Sequence, residues 1–262
     1  MSGLAETYGR TRTDTDYFTK LAKRYIKTGD SVVDVGCGAG NYFQLLRELV
    51  GKKGAVWAAE PNEEMFAAAK KEAGRFGVKI YRRKTEQLSS LGKKFDVVFA
   101  SLSLQFCGND KAFSELRKSV KRGGLLLFVI PTKRDGITSA DSERSRKFRE
   151  FFYAGMRTGL KERNLPPKFD FAYVCGRGKE FRRLLSAHGF RSLRWNEAPS
   201  GKAGLEGMLK YYVIPWRSEK IIPGVKFKDR YEIITAALKH AFARYPKFVV
   251  TRYHLACAAR RI

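Results

Sequence analysis

Acidic residues are scarce in this chain: 26 Asp and Glu stand against 52 Lys and Arg, a formal net charge of +26 over 262 residues. Cysteine is sparse and scattered. Cys37, Cys107, Cys175 and Cys257 form no Cys-x-x-Cys pair, which argues against a zinc ligand set and against a disulfide framework, and suits a reducing cytoplasm. The three histidines, His188, His240 and His254, lie in apolar stretches without a triad-like arrangement and read as structural. No apolar run approaches the roughly 18 residues a membrane span needs, and no charged-then-apolar leader opens the chain, so a soluble, cytoplasmic protein is expected. Internal repeats and low-complexity linkers are missing too, which sets aside solenoids and tethered modules.

What remains is 44% hydrophobic, enough for an ordinary buried core. The charge is uneven along the chain: residues 1–132 hold 23 basic and 14 acidic side chains, residues 133–262 hold 29 and 12. Two readings stay open. An acidic macromolecule, either nucleic acid or an acidic carrier protein, would be steered by such a field; alternatively the charge is spread over every solvated face.

The most informative stretch is Ser31-Val-Val-Asp34-Val-Gly36-Cys37-Gly38-Ala-Gly40, an apolar strand running into alternate glycines, with a helical run from Tyr42 to Val50 behind it. Glycines at that spacing let the chain turn sharply after a strand and bring bare backbone to a ligand, and the helix start offers unpaired N–H groups. About twenty residues on, Glu60 ends a second apolar strand, where an acid would meet a ribose diol. A dinucleotide fingerprint would place its third glycine where Asn41 stands, and Asp34 suits a ligand bearing an amino group rather than a pyrophosphate.

Around this loop, strands at 31–35, 55–59, 79–82, 95–101 and 124–130 alternate with helices at 42–50, 62–75 and 110–120. Asn62 caps the second helix, with Glu63 and Glu64 in its first turn. Such alternation predicts a doubly wound, mostly parallel sheet with a site at the carboxyl ends of its strands. An N-terminal helical segment spans 4–27. Beyond Pro131 come a basic helix at 141–163, a helix at 178–188, a sixth strand at 192–196, a helix at 229–244 and a closing strand at 248–258. Residues 199–246 read as a cap inserted before the last strand. The expected domains are therefore 1–198 with 247–262, and the cap 199–246.

The Asp-x-Gly-x-Gly-x-Gly form resembles motif I of the class I S-adenosylmethionine-dependent methyltransferases, and the resemblance extends to Glu60-Pro61-Asn62, Thr85-Glu86-Gln87-Leu88, Phe95–Ala100 and the Gly123-Gly124 turn. It implies a Rossmann-like seven-stranded sheet and S-adenosyl-L-methionine as cofactor. Ser101–Asn109, with Gln105 at its centre, and the tail Arg252–Leu255 are similar to malonyl-acyl-carrier-protein O-methyltransferases. Pro215-Trp216 resembles the cap of trans-aconitate methyltransferases, and Tyr8-Gly-Arg10-Thr-Arg12 the openings common to both.

The resemblance puts Gly36, Cys37, Gly38 and Gly40 along the methionine and ribose of the cofactor, with Asp34 near its amino group and Glu60 on the ribose hydroxyls. Pro61, Asn62 and Met65 flank the adenine, the Thr85 backbone and Glu86 edge it, and Ser101 lies beside the transferable methyl. Tyr8 and Arg12 close over it. Lys84 departs from the acid many relatives carry there. Met65 can equally be core, and Gln105 can simply cap the turn after the fourth strand. In the cap, Lys210, Tyr211, Tyr212, Trp216 and Arg217 can clamp a small acid, with Arg217 first and Lys210 second as its cation; the aromatics can also merely pack the cap. Tyr8, Gln105 and Arg217 are thus the residues expected around the reacting groups. No metal site is expected.

A carboxylate acceptor is ionised at neutral pH and needs no general base, and the sequence nominates none. The expected reaction is O-methylation of a small or carrier-bound acid. RNA methylation is the rival, resting on charge alone: strand four ends in Ser101-Leu-Ser-Leu rather than Asn/Asp-Pro-Pro-aromatic, and no Pro-Cys nucleophile is present.

Overall fold

In the computed structural model the described residues are 15–132, 143–169, 178–213, 218–219 and 221–262. The elements run α1 (Thr15–Tyr25), β1 (Ser31–Val35), α2 (Phe43–Val50), β2 (Ala55–Ala59), α3 (Glu63–Phe76), β3 (Lys79–Tyr81), a 3-10 turn (Thr85–Leu91) and β4 (Phe95–Ser101). A second short 3-10 turn (Leu104–Phe106) precedes α4 (Asp110–Ser119) and β5 (Val120–Pro131). Then follow α5 (Glu143–Lys161), α6 (Gly178–Ala187), β6 (Phe190–Ala203), α7 (Leu205–Tyr212), α8 (Phe227–Arg244) and β7 (Val250–Arg261).

The strands form one seven-stranded sheet in the order β3-β2-β1-β4-β5-β7-β6. β1 pairs in parallel with β2 and β4, and β4 with β5, while β7 runs antiparallel to β5, with Pro131 opposite His254. The expected doubly wound, mostly parallel architecture is therefore present.

Because successive side chains of a strand point to opposite faces, apolar runs such as Val32-Val33 feed two cores. On one face Val32, Val97, Phe99 and Leu127 pack with Phe18 and Leu21 of α1, Phe43 and Leu46 of α2 and Ala69 of α3. Phe18 lies flat on Phe99 at 4.5 Å between ring centroids, and Tyr42 meets Phe99 edge-on at 5.0 Å. On the other face Val33, Val98, Leu126 and Phe128 pack with Phe113 and Leu116 of α4 and Phe181 and Leu184 of α6.

The chain divides into two compact units: Met1–Thr132 with Gly176–Ala198 and His254–Ile262, and Lys133–Cys175 with Pro199–Tyr253. This moves a boundary drawn from the sequence. The basic helix α5, expected inside 1–198, belongs to the second unit, where Phe148, Phe152, Met156 and Leu160 share a core with Ile233, Ala237 and Phe242 of α8 and Met208 and Tyr212 of α7. The physical reason is close helix packing: a Cβ on Gly155 would lie 2.8 Å from the Ala237 Cα, and one on Gly159 3.2 Å from Ile233. Local sequence shows the apolar stripe of α5 but not which partner covers it. The second unit also contains α7, in a stretch whose glycines and prolines suggested only breaks. β6 and β7 are longer than expected, reaching Ala203 and Arg261.

Candidate cofactor site

The glycine loop leaves the carboxyl end of β1 with Gly36, Gly38 and Gly40 at φ of +68°, +58° and +87°, backbone that side-chain-bearing residues rarely adopt. It is tied on two sides. From β2, the Ala59 carbonyl accepts from Gly36 N–H (2.8 Å) and Cys37 N–H (3.3 Å), and the Glu60 carboxylate accepts from Gly38 N–H at 2.9 Å. From β4, Ser103 Oγ donates to the Val35 carbonyl at 2.6 Å, and its Cβ sits where a Cβ on Gly36 would come within 2.4 Å. Gly36 thus admits Ser103 against the backbone, while Gly40 leaves room for the Phe43 ring, which an added Cβ would approach at 2.6 Å.

Glu60 is buried. Its second oxygen accepts from Asn62 N–H at 2.9 Å, and Asn62 Oδ1 in turn accepts from Met65 N–H at 3.0 Å, making Asn62 the α3 cap anticipated from sequence. Burial pushes the Glu60 carboxyl above its usual value, and the backbone N–H groups of Asn62 and Gly38 pull partly back. Each oxygen keeps a lone pair for a hydroxyl donor. Asp34, one strand over, is 1% exposed and lies beside Ala58 and Phe99 in the parallel register. Ser101, two residues past Phe99 at the end of β4, is buried.

Beyond β4 the chain turns through Leu102, which holds φ +52° without being glycine. The turn is secured by Leu102 N–H donating to the Val129 carbonyl (2.9 Å) and by Gln105 Nε2 donating to the Leu102 carbonyl (2.8 Å). Gln105 therefore caps this turn, the local alternative that its position allowed. Strain held by neighbouring hydrogen bonds at the end of a central strand is a feature of functional loops. At the far edge of the site Thr85 is buried and accepts from the Cys107 thiol at 3.2 Å, while Glu86 accepts from Asn109 Nδ2 at 3.4 Å. Burial raises the Cys107 thiol to about 11, so it is neutral at physiological pH.

Of the residues expected at the cofactor, the fold brings Asp34, Gly36, Cys37, Gly38, Gly40, Glu60, Pro61, Met65, Thr85, Glu86 and Ser101 to the carboxyl ends of β1, β2 and β4 and the turn after β3. Cys37 contributes backbone, because its side chain turns into the core. Met65 is buried but joins neither core cluster of the sheet. Tyr8, Arg12, Trp216 and Arg217 lie outside the described residues. Lys210, second choice for the acceptor's cation, is an exposed residue paired with Glu206 one helical turn away, and Tyr212 is buried in the second unit's core, so both serve α7 itself. Ser103 was missed: nothing local marks a serine that must reach a carbonyl 68 positions earlier.

The donor set decides the ligand class. A buried acid at the base of the loop suits an ammonium, a buried acid with spare lone pairs at the end of β2 suits a ribose diol, and the glycine backbone between them suits a thin apolar link. A methyltransferase domain family matches residues 32–124. This chain carries a class I S-adenosylmethionine-dependent methyltransferase domain. S-adenosylmethionine is the cofactor of that domain, and the residues above fit its polar ends.

The methyltransferase domain is similar to a probable cobalt-precorrin-6B C(15)-methyltransferase from Saccharolobus solfataricus, 37% identical over 30% of this chain and 42% of that protein. Aklanonic acid methyltransferase DauC from Streptomyces is 28% identical over 48% of this chain and 61% of its own length. The chain thus spans about two to three fifths of these curated relatives. A methyltransferase from Aquifex aeolicus shares the fold over the whole of both chains, with a TM-score of 0.56 at 16% identity. Among the described residues no cluster of His, Cys, Asp and Glu could hold a metal ion, and no helix is long and apolar enough to cross a membrane.

Proposed function

We propose that this chain is an S-adenosylmethionine-dependent O-methyltransferase acting on the carboxylate of a small or carrier-bound acid. The observation that carries this reading is where the polar groups after β4 are spent. Ser103 donates to Val35, Gln105 to Leu102, and Cys107 to Thr85 with its thiol held neutral by burial. The Ser103 hydroxyl, the Gln105 amide nitrogen and the Cys107 thiol are committed to the protein's own structure, and Gln105 Oε1, buried without a partner among the described residues, is an amide oxygen and no general base. A carboxylate acceptor, with an ordinary pKa near 4, arrives already ionised and needs no such group.

When bound, the cofactor supplies an electrophilic methyl carbon on a sulfonium that leaves as a neutral thioether. The chain's part is positioning and dehydration. Glu60 and Asp34 fix the two polar ends of the ligand, the tied glycine loop fixes its path, and buried Ser101 marks the level of the reacting carbon. A relative named for an acid acceptor supports the same class.

The rival, RNA methylation, keeps only its charge argument, and that charge is general: the first unit holds 31 basic and 16 acidic residues, the second 21 and 10. The test incubates purified protein and methyl-labelled cofactor with malonyl-carrier protein or total RNA. Alkali-labile label on the carrier, as a methyl ester gives, is expected. Alkali-stable label confined to RNA overturns the reading.

A further inference from the structure

The seven-residue 3-10 turn Thr85–Leu91 follows β3, a three-residue strand at the edge of the sheet. Runs of 3-10 backbone beyond three or four residues are uncommon because their hydrogen bonds are poorly aligned, so a turn this long needs holding from outside. Three side chains of one segment supply the hold. Glu115 of α4 accepts at a single oxygen, Oε2, from Ser89 N–H (3.0 Å) and from Ser89 Oγ (2.6 Å), while its Oε1 takes Lys118 Nζ at 2.9 Å. At the front of the turn the Cys107 thiol donates to Thr85 Oγ1, and Asn109 Nδ2 donates to Glu86 Oε1. Asn109 is itself fixed, since its Oδ1 caps α4 by accepting from Ala112 N–H at 2.8 Å. Beneath these ties Leu88 of the turn is fully buried and shares a core with Phe113 and Leu116 of α4.

Glu115 is the costly member of this set. It is 9% exposed on the inner side of α4, where Ala112, Phe113, Leu116 and Ser119 are buried with it. Taking a carboxylate out of water is less favourable than burying an apolar side chain of the same size, and what the carboxylate adds is direction. Both of its bonds to the turn fall on one residue, so Ser89 is fixed in backbone and side chain at once. Ser89 lies four residues after Thr85, and the same turn therefore carries Thr85 and Glu86, where the cofactor reading puts the edge of the adenine. Lys84, just before them, is an exposed cation and cannot accept a hydrogen bond from the adenine amino group. The purine edge then depends on where this turn sits.

We propose that Glu115, acting through Ser89, is a positioning residue for the nucleobase end of the cofactor, with Asn109 holding the other end of the same turn. The proposal rests on the cofactor reading above and adds to it a residue that acts on the ligand only through the turn. Discrimination between purines, and not only affinity for them, depends on a carboxylate of α4, because groups that lock a ligand-facing segment set how closely its polar atoms meet the ligand.

The probes are S-adenosylhomocysteine and S-inosylhomocysteine, which differ at the purine edge where an amino group becomes a carbonyl, each titrated calorimetrically into the full chain. Wild type should prefer the adenosyl ligand by about tenfold or more, as expected when one hydrogen bond is lost and its partner left unpaired. Glu115→Ala should cut adenosyl affinity by about tenfold and leave inosyl affinity nearly unchanged, so that the ratio falls toward one. Ser89→Ala keeps the N–H bond and loses only the hydroxyl; it should move the ratio the same way by less, and it leaves the buried acid in place should Glu115→Ala fail to fold. Adding it to Glu115→Ala should change little more. Glu115→Gln keeps an oxygen for Ser89 and should restore most of the preference, and Lys118→Gln should behave as wild type. Equal loss of both ligands in Glu115→Ala, or a wild-type ratio in both it and Ser89→Ala, overturns the proposal and leaves the cofactor reading standing. A wild-type chain without preference puts the purine edge elsewhere and overturns the proposal too; one that binds neither ligand overturns the cofactor reading with it.

Discussion

Gly36→Ala is the substitution for which the structure gives the fullest arithmetic. At φ +68° an alanine pays the left-handed penalty of about 1–2 kcal/mol. Its Cβ would also stand 2.4 Å from the Ser103 Cβ, a contact that must open by more than 1 Å, and overpacking of this kind costs about 1–3 kcal/mol. Opening it draws Ser103 Oγ away from the Val35 carbonyl, a hydrogen bond worth about 1 kcal/mol net. The single variant should lose about 3–6 kcal/mol. Ser103→Gly alone loses only the hydrogen bond and some backbone entropy. In the double variant the clash disappears, so the two losses should be non-additive by about 1–3 kcal/mol, with the double less damaged than the sum. Urea denaturation measures the stability cycle, and calorimetric titration of S-adenosylmethionine measures its counterpart in binding. Additive losses, or wild-type stability in Gly36→Ala, would refute the claim that Ser103 and Gly36 form one close-packed contact.

Five further outcomes follow from named contacts. Glu60→Gln replaces an acceptor of two backbone N–H groups with one that can serve only one of them, so cofactor affinity should fall about tenfold to a hundredfold by calorimetry. Because burial raises the Glu60 pKa in the fold, wild-type stability relative to Glu60→Gln should decline as pH rises above about 4.5; a flat difference from pH 4 to 7 contradicts the assignment. For Asp96, burial pushes the carboxyl up, but hydrogen bonds from Lys121 and Ser31 outweigh it and hold it below its usual 3.8, so its ionised form contributes stability at neutral pH that is lost as pH falls through the lowered value. Asp96→Asn should therefore be less stable than wild type at pH 7, with the gap closing below about pH 4. Cys107 and Cys257, raised by burial to about 11 and about 12, should resist iodoacetamide at pH 8, where less than about one thiol in a thousand is ionised; rapid labelling by mass spectrometry would show the burial to be wrong. Gly155→Val should destabilise the second unit by about 1–3 kcal/mol in thermal melts, since its Cβ would run into Ala237.

How much of this was legible in sequence depends on the range of the interaction. The glycine loop, the Asn62 cap and the acid ending β2 are set by residues within a few positions of one another, and spacing alone locates them. Ser103 against Gly36 is a contact across 67 positions created by sheet order, and no local pattern records it. Gln105 marked the right turn, yet its amide holds Leu102 rather than facing outward, a direction that depends on the φ of one residue. The boundary error at α5 has a similar origin. Its apolar stripe would cover a sheet as readily as a helix, and the choice rests on Gly155 and Gly159 letting α8 approach closely. Length was misjudged where β6 and β7 run past their apolar cores, because ladder hydrogen bonds continue through Arg260 and Arg261 whatever the side chains are.

The site is preorganised by ties that come from different strands. Ala59 and Glu60 hold three loop N–H groups from β2, and Ser103 holds the last β1 carbonyl from β4, so the loop's shape is settled by the sheet before any ligand arrives. A ligand then pays little to order the loop itself. The same economy limits what the loop can decide. Gln105 Oε1 is the buried polar atom of the turn after β4 still without a partner among the described residues, whereas the loop, Ser103 and the Cys107 thiol are bonded to the protein itself. Changes at those residues should act on the cofactor far more than on the choice of acceptor.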